Sequence, residues 1–317
     1  MTKQPSVYPP RIGRRAFVAA ASGTMLATML TPAIPPVRAA GGVPILRTIP
    51  KSRRQVPVIG MGSWITFNVG GSTRLRDART RVLKAFFDAG GTVIDSSPMY
   101  GSSEEVIGYA LDRLARHDWM FSATKVWTPL ADTGVTQMVE SRKLWGVQKF
   151  DLMQVHNLVN WESHLDTLAV EKAAGRVRHI GITTSHGSRH GEMLRLMADQ
   201  RVDAVQFTYN ILDREAERRL LPMAAERGLA VIVNRPFRRG DLFRRFADRK
   251  LPDWAAEFDC TNWAQFFLKF AVSHPAVTCA IPATSRVDHM RENMGALYGR
   301  LPDAALRARM TRYIESL

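Results

Sequence analysis

Residues 92–101 read TVIDSSPMYG. An apolar pair, Val93 and Ile94, leads from Thr92 into a polar turn, so Asp95 falls where a strand stops and a loop begins, with Tyr100 five positions on. Two later stretches have the same form. Residues 122–127, SATKVW, place Lys125 at the end of an apolar run, and residues 152–157, LMQVHN, do the same with His156. Three successive strands therefore each finish on a side chain capable of chemistry.

Working outward from these stretches, the chain alternates strand and helix. Residues 45–59 read as a hairpin turning at Pro50-Lys51-Ser52, a preface to the domain. Residues 58–63 form the first core strand, residues 77–89 the first helix, closed by Gly90-Gly91, and residues 92–97 the second strand. A helix then opens at Ser103, with Glu104 and Glu105 in its first turn, where carboxylates favour the positive end of the helix dipole. Strand-like runs follow at residues 120–126, 152–156, 179–184, 204–209, 230–233 and 278–282. Between them lie helical patterns at residues 135–144, 163–174, 192–198, 215–227 and 262–273, and a terminal helix spans residues 302–317. Eight short strands, apolar on both faces and separated by amphipathic helices, predict an α/β fold of the (β/α)8 TIM barrel type with an N-terminal β-hairpin. The competing open, doubly wound sheet wants G-x-G-x-x-G after its first strand, but Gly60 and Gly62 are followed by Ile65 where the third glycine belongs. No internal repeat or linker divides residues 40–317, which read as one barrel domain.

The first forty residues differ in kind. They hold Lys3, Arg11, Arg14, Arg15 and Arg38 without a single Asp or Glu, and an apolar stretch, FVAAASGTMLATML, follows the twin arginine of GRRAFV. With the small-residue site at Val37-Arg38-Ala39, these parts predict a twin-arginine (Tat) export signal over residues 1–39, cleaved after Ala39, the Tat translocase as a partner, and a periplasmic destination. A stable membrane span needs ~20 apolar residues, and Pro32, Pro35 and Pro36 cut this stretch short.

Of the formal net charge of +15, five charges lie before Ala40, leaving +10 in arginine-rich patches such as Arg235, Arg238, Arg239, Arg244 and Arg245. No aromatic-interleaved basic motif or helix-turn-helix pattern accompanies them, so an anionic small ligand and a solvated surface are expected and nucleic acid is not. The two cysteines, Cys260 and Cys279, match no metal or redox spacing and read as buried free thiols, which fits folding in the cytoplasm before export. His186 and His190 stand four apart, but a loop with Gly187 separates them and no third ligand is near, so no metal is expected.

In such a barrel the chemistry sits at the carboxyl ends of the strands, where Asp95, Tyr100, Lys125 and His156 converge. The set has the logic of acid catalysis by a phenol. A tyrosine with its free pKa of ~10 is a poor donor at neutral pH, and an ammonium beside it stabilises the phenolate. Lys125 supplies that charge, Asp95 holds Lys125 in place and protonated, and a neutral His156 orients a carbonyl oxygen beside Tyr100.

These four residues and their spacing resemble the catalytic tetrad of the aldo-keto reductases. The likeness runs from about Ile45 to about Leu297 and includes Gly60-Met61-Gly62-Ser63-Trp64 and IPATSRVDHMREN at the eighth strand. The resemblance implies reduction of a small-molecule aldehyde or ketone by hydride from NADPH, with the cofactor extended across the barrel mouth and Tyr100 as the proton donor. For the cofactor it implies Gly62, Ser63, Thr183, Thr184, Gln206, Asn234, Arg235, Pro236, Phe237, Arg239, Thr284, Ser285, Arg286, Glu292 and Asn293. Among these, Gln206 matches the glutamine that holds the nicotinamide carboxamide, while Arg286, Glu292 and Asn293 match the grip on the adenosine end. Arg286 favours NADPH over NADH through a guanidinium–phosphate contact. For the substrate it implies a pocket of Trp64, Met99, Trp127 and Asn157. The sequence departs from the family pattern at Thr183-Thr184, where many members carry Ser-Asn, and at Asn234, where the aromatic that stacks on nicotinamide is usual. Arg235 or Phe237 is then left to cover the ring. The periplasm offers no evident supply of NADPH, which raises a second reading: an exported nucleotide-binding partner or sensor subunit with little turnover.

Overall fold

The computed structural model describes residues 42–317 apart from 118, 186, 188 and 247. The Tat signal expected over residues 1–39 lies outside these residues, as does His186. A two-stranded antiparallel hairpin, β1 (Leu46–Thr48) with β2 (Gln55–Pro57), precedes an eight-stranded parallel sheet. Its strands are β3 (Met61–Gly62), β4 (Val93–Asp95), β5 (Phe121–Val126), β6 (Phe150–Val155), β7 (Val177–Thr183), β8 (Ala204–Thr208), β9 (Ala230–Asn234) and β10 (Cys279–Ala280), each paired with its neighbours in sequence. The ends meet. Gly60 donates to the Ala280 carbonyl (2.9 Å), Gly62 to that of Pro282 (3.0 Å), and Ala280 to that of Val58 (2.9 Å), so the sheet closes into the expected barrel.

The helices of the outer layer include α1 (Thr73–Asp88), α2 (Ser103–Leu114), α3 (Ala131–Trp145), α4 (Trp161–Ala173), α5 (His190–Leu196) and α6 (Leu220–Arg227). They continue with α7 (Asp241–Phe246), α8 (Trp263–Val272), α9 (Val287–Gly295) and α10 (Ala304–Glu315). The first helix starts at Thr73, four residues before the sequence reading has it, because the Ser72 hydroxyl caps it by accepting from the Leu75 N–H. The helix expected over residues 215–227 is broken: a single 3-10 turn, Glu215–Glu217, stands apart from α6.

Two apolar layers sit on either side of the strands. The larger one fills the space between strands and helices, with Phe86, Trp145, Phe150, Phe207 and Phe266 among its buried side chains. The smaller one fills the barrel itself, where Val93, Phe121, Ala123, Leu152, Ala204, Ala230, Ile232, Cys279 and Ile281 point inward. Ile49 and Val56 of the hairpin join this inner cluster, so the hairpin plugs the amino-terminal end. Because strand side chains alternate between faces, the inward series continues upward to Asp95, Lys125, Gln154 and Gln206. A polar layer thus caps a dry stack. Both cysteines are buried and free, as expected.

Glu104 lies in the first turn of α2, as expected, and makes further contacts there. It is buried, and its carboxylate accepts hydrogen bonds from Thr124 Oγ1 (2.5 Å), Ser141 Oγ (2.8 Å) and Trp145 Nε1 (3.1 Å). Burial lifts its pKa above the ordinary value and outweighs the three hydrogen bonds that pull it down. Glu104 ties α2 and α3 to the outer face of β5, whose inner face carries Lys125.

Candidate active site

Asp95 closes β4, and the next residues turn through Pro98–Tyr100 to place the phenol over the strand ends. Lys125 lies one residue short of the end of β5, and His156 directly follows β6. The four residues meet at the carboxyl end of the barrel. Lys125 Nζ donates to Asp95 Oδ2 (2.5 Å) and to the Ser96 carbonyl (2.7 Å), and it lies 5.2 Å from the centroid of the Tyr100 ring. His156 meets Tyr100 edge to face, with ring centroids 5.7 Å apart.

The ion pair is almost closed to solvent, with side chains 1% and 3% exposed. Charges in such a place persist only when the remaining hydrogen-bonding capacity is used. Here it is used: Asp95 Oδ1 accepts from the amide nitrogens of Gln154 (2.9 Å) and Gln206 (3.0 Å). Gln154 is absent from the sequence-derived set, yet its position two residues before His156 places it on the same inward face. Gly181, paired beside it on β7, leaves the space that Gln154 takes, since a Cβ there would come within 2.8 Å of Gln154 Cγ.

Burial is the largest influence on Lys125 and pulls its pKa down. The charge of Asp95, that of the Tyr100 oxygen and the associated hydrogen bonds reverse this, so the net direction is up and the ammonium is retained. For Tyr100 burial again leads and raises the pKa, with Lys125 opposing it. The sequence reading has Lys125 easing the phenol towards ionisation. The ammonium does act in that direction, but desolvation is the larger effect and the phenol stays a protonated donor. His156 is held at about 2, first by burial and then by the charge of Lys125, so its imidazole is neutral.

A cavity of about 690 Å³ opens above this layer. It is walled by Tyr100 and His156 together with Gly62, Ser63, Trp64, Met99, Asn157, Thr183, Gln206, Asn234, Arg235, Pro236, Phe237 and Arg239 from the sequence-derived sets. The structure adds Phe243 and, from α9, His289. Arg239 stacks on Trp64, 4.1 Å from the ring centroid to the guanidinium carbon, and so bridges the loops after β9 and β3. Asn234 is committed locally: its amide nitrogen donates to the Thr184 carbonyl (2.8 Å) and its oxygen accepts from Thr208 Oγ1 (2.9 Å).

Other residues of the expected set lie away from the cavity wall. Thr184 is buried beside Met193, its hydroxyl 3.9 Å from the sulfur. Trp127 is half exposed, its backbone held by Gln137. Thr284, Ser285, Arg286, Glu292 and Asn293 sit on the segment leading into α9 and on the helix itself. There Asn293 is buried, Glu292 is exposed, and Arg286 is paired with Asp288 through Nε (3.0 Å) and a second, shorter contact. Of the two histidines read against a metal site, His190 lies 3.1 Å through Nδ1 from Glu215.

The structure is thus a closed parallel barrel with a phenol, a buried ammonium–carboxylate pair and a neutral imidazole at its mouth. The chain belongs to the aldo/keto reductase family, whose model matches residues 58–308, and with that family it is an oxidoreductase. It is 28% identical over 193 residues to the aldo-keto reductase YhdN of Bacillus subtilis, covering 55% of this chain and 56% of that protein. It is 26% identical over 284 residues to the aldo-keto reductase str7 of Strobilurus tenacellus, covering 76% of this chain and 84% of that one. Among solved structures, an aldo-keto reductase from Klebsiella pneumoniae in complex with NADPH superposes with a TM-score of 0.70 at 23% identity, over 86% of this chain and 95% of that one. This last match speaks for the fold.

Removing one member of a buried ion pair strands the other. Lys125→Met is expected to cost about 3–5 kcal/mol of stability, and the double variant Asp95→Asn/Lys125→Met to lose clearly less than the sum of its parts. Urea unfolding of the three variants measures this, and strictly additive losses would mean that the two side chains do not act as a unit.

Proposed function

We propose that the protein reduces an aldehyde or ketone to the alcohol with NADPH as hydride donor and Tyr100 as general acid. The observation that carries this reading is the meeting of Tyr100, Lys125–Asp95 and His156 at one wall of the mouth cavity. A neutral His156 donates a hydrogen bond that fixes the carbonyl oxygen beside the phenol. As the carbonyl carbon gains hydride, negative charge develops on that oxygen, and Tyr100 transfers its proton to it. Lys125 stabilises the phenolate left behind until solvent restores the proton. When bound, NADPH supplies the hydride.

The donor set of the cavity fits such a cofactor. Thr183 brings a hydroxyl to the cavity wall, Gln206 and Asn234 stand beside it with amides held by Asp95 and by Thr184 and Thr208, and Arg235 and Arg239 offer positive charge next to them. Arg235, Pro236 and Phe237 stand where an aromatic partner for nicotinamide is missing. Arg286 is the residue we assign to the 2′-phosphate, and its pairing with Asp288 keeps it charged and oriented beside α9. The alternative of a sensor with little turnover receives less support, because nothing in nucleotide binding alone calls for a buried ammonium beside a phenol.

We also propose that residues 1–39 are a Tat signal cleaved after Ala39, that the barrel domain is residues 40–317, and that the mature protein is periplasmic. Two free, buried thiols accord with a chain that folds, and takes up its cofactor, before it meets an oxidising compartment. Among the described residues no helix is long and apolar enough to cross a membrane.

Tyr100→Phe is expected to abolish aldehyde-dependent NADPH oxidation while leaving nucleotide binding intact. In the wild type the rate of reduction should stay level through neutral pH and fall only above the ordinary tyrosine range, because burial raises the Tyr100 phenol. Turnover surviving in Tyr100→Phe would remove its catalytic role. Arg286→Ala should weaken NADPH by tenfold or more, about 1.4 kcal/mol, with little change for NADH, as read by fluorescence titration. Equal losses for both nucleotides would remove the 2′-phosphate assignment. Replacing Arg14 and Arg15 by Lys should leave the precursor in the cytoplasm in a fractionation experiment, and undiminished periplasmic protein would count against the signal.

A further inference from the structure

Ser97 stands between the two groups that the proposed chemistry brings to the carbonyl oxygen. It is fully buried, with extended backbone, at the start of the turn that carries Tyr100. Its carbonyl accepts from the Tyr100 N–H (2.9 Å), and its hydroxyl oxygen accepts from the Met99 N–H (3.2 Å). The same oxygen lies 2.8 Å from His156 Nδ1. Among the described residues these are the partners of the hydroxyl.

A serine hydroxyl has one proton to give and two lone pairs to offer. Met99 fills one lone pair. If His156 carried its proton on Nδ1, the oxygen would accept from two N–H groups and its own hydrogen would be buried without an acceptor, which is the costly arrangement. If Nδ1 is bare, the Ser97 hydroxyl donates to it and every group is satisfied. The imidazole proton then sits on Nε2, on a ring that walls the mouth cavity beside Tyr100.

We infer that Ser97 is a positioning residue that selects the Nε2–H tautomer of His156, and that through one hydroxyl it sets both the hydrogen-bond donor facing the carbonyl and the turn presenting the phenol. The inference rests on the reading of His156 as the group that orients the substrate oxygen. It gives Ser97 a role in specificity of geometry: a substrate must present an acceptor to Nε2–H, and a group that can only donate is refused.

Long-range 1H–15N correlation spectra of the full-length protein, labelled with 15N-histidine, report the tautomer without substrate. The wild type and Ser97→Thr should show a proton-free Nδ1 and a protonated Nε2, whereas Ser97→Ala should populate the Nδ1–H form. In parallel, kcat for aldehyde reduction should fall ~10-fold or more in Ser97→Ala, return towards wild type in Ser97→Thr, and leave the NADPH dissociation constant unchanged. A wild-type spectrum showing Nδ1–H, or a Ser97→Ala spectrum that keeps Nε2–H, overturns the inference. A wild-type Nδ1–H spectrum overturns it without any variant, so a Ser97→Ala protein that fails to fold does not shelter it. Absence of turnover in a wild type that shows Nε2–H would remove the proposed reaction and leave the tautomer assignment standing.

Discussion

The buried pair of Asp95 and Lys125 is the constraint to which the mouth of this barrel is fitted. Two opposite charges in a nearly dry interior are tolerable only if every remaining donor and acceptor is engaged. The surrounding polar layer follows from that demand. Gln154 and Gln206 complete the carboxylate from β6 and β8, and the Ser96 carbonyl completes the ammonium from the same turn that leads to Tyr100. The aliphatic stack below excludes water and so sharpens the demand, while the hairpin plug keeps the far end closed. Structure and chemistry share one cause here. The desolvation that makes the pair expensive also keeps His156 neutral and Tyr100 protonated, each in the state the proposed reaction requires.

Much of this was legible in the sequence because the fold repeats one physical rule. Apolar runs ending in Asp95, Lys125 and His156 announce strands whose carboxyl ends share a rim, and the alternation of strand and helix announces the closure that makes the rim a ring. The parts that escaped are those that depend on side-chain direction across strands. Gln154 carries a signal, its parity with His156, but a glutamine in an apolar run reads equally well as a tolerated exception. Helix-dipole reasoning accounts for a carboxylate at Glu104 but not for its burial, which the approach of α3 brings about. Trp127 and Thr184 follow rim residues in sequence, yet the cavity wall passes them by. Sequence distance along a loop does not encode the direction in which the loop turns.

Arginine plays an unusual part at the rim. Arg235, Arg238 and Arg239 all adopt positive φ within one short loop, a conformation that costs a side-chain-bearing residue about 1 kcal/mol or more. The neighbouring contacts hold it there: Arg238 is paired with Asp213 (3.3 Å) and Asp241 (3.6 Å), and Arg239 is stacked on Trp64. The loop after β9 therefore sets three cations on a strained backbone. The wall it builds there is positively charged.

Gln154 and Gly181 point to a further consequence. A barrel interior has a fixed cross-section, so a side chain that grows from one strand must be matched by one that is missing from the next. The long amide that completes Asp95 occupies the room that an absent Cβ on β7 leaves. The two positions are therefore a single unit of volume: an alanine at 181 displaces the amide, and a shorter residue at 154 opens a void beside a charge.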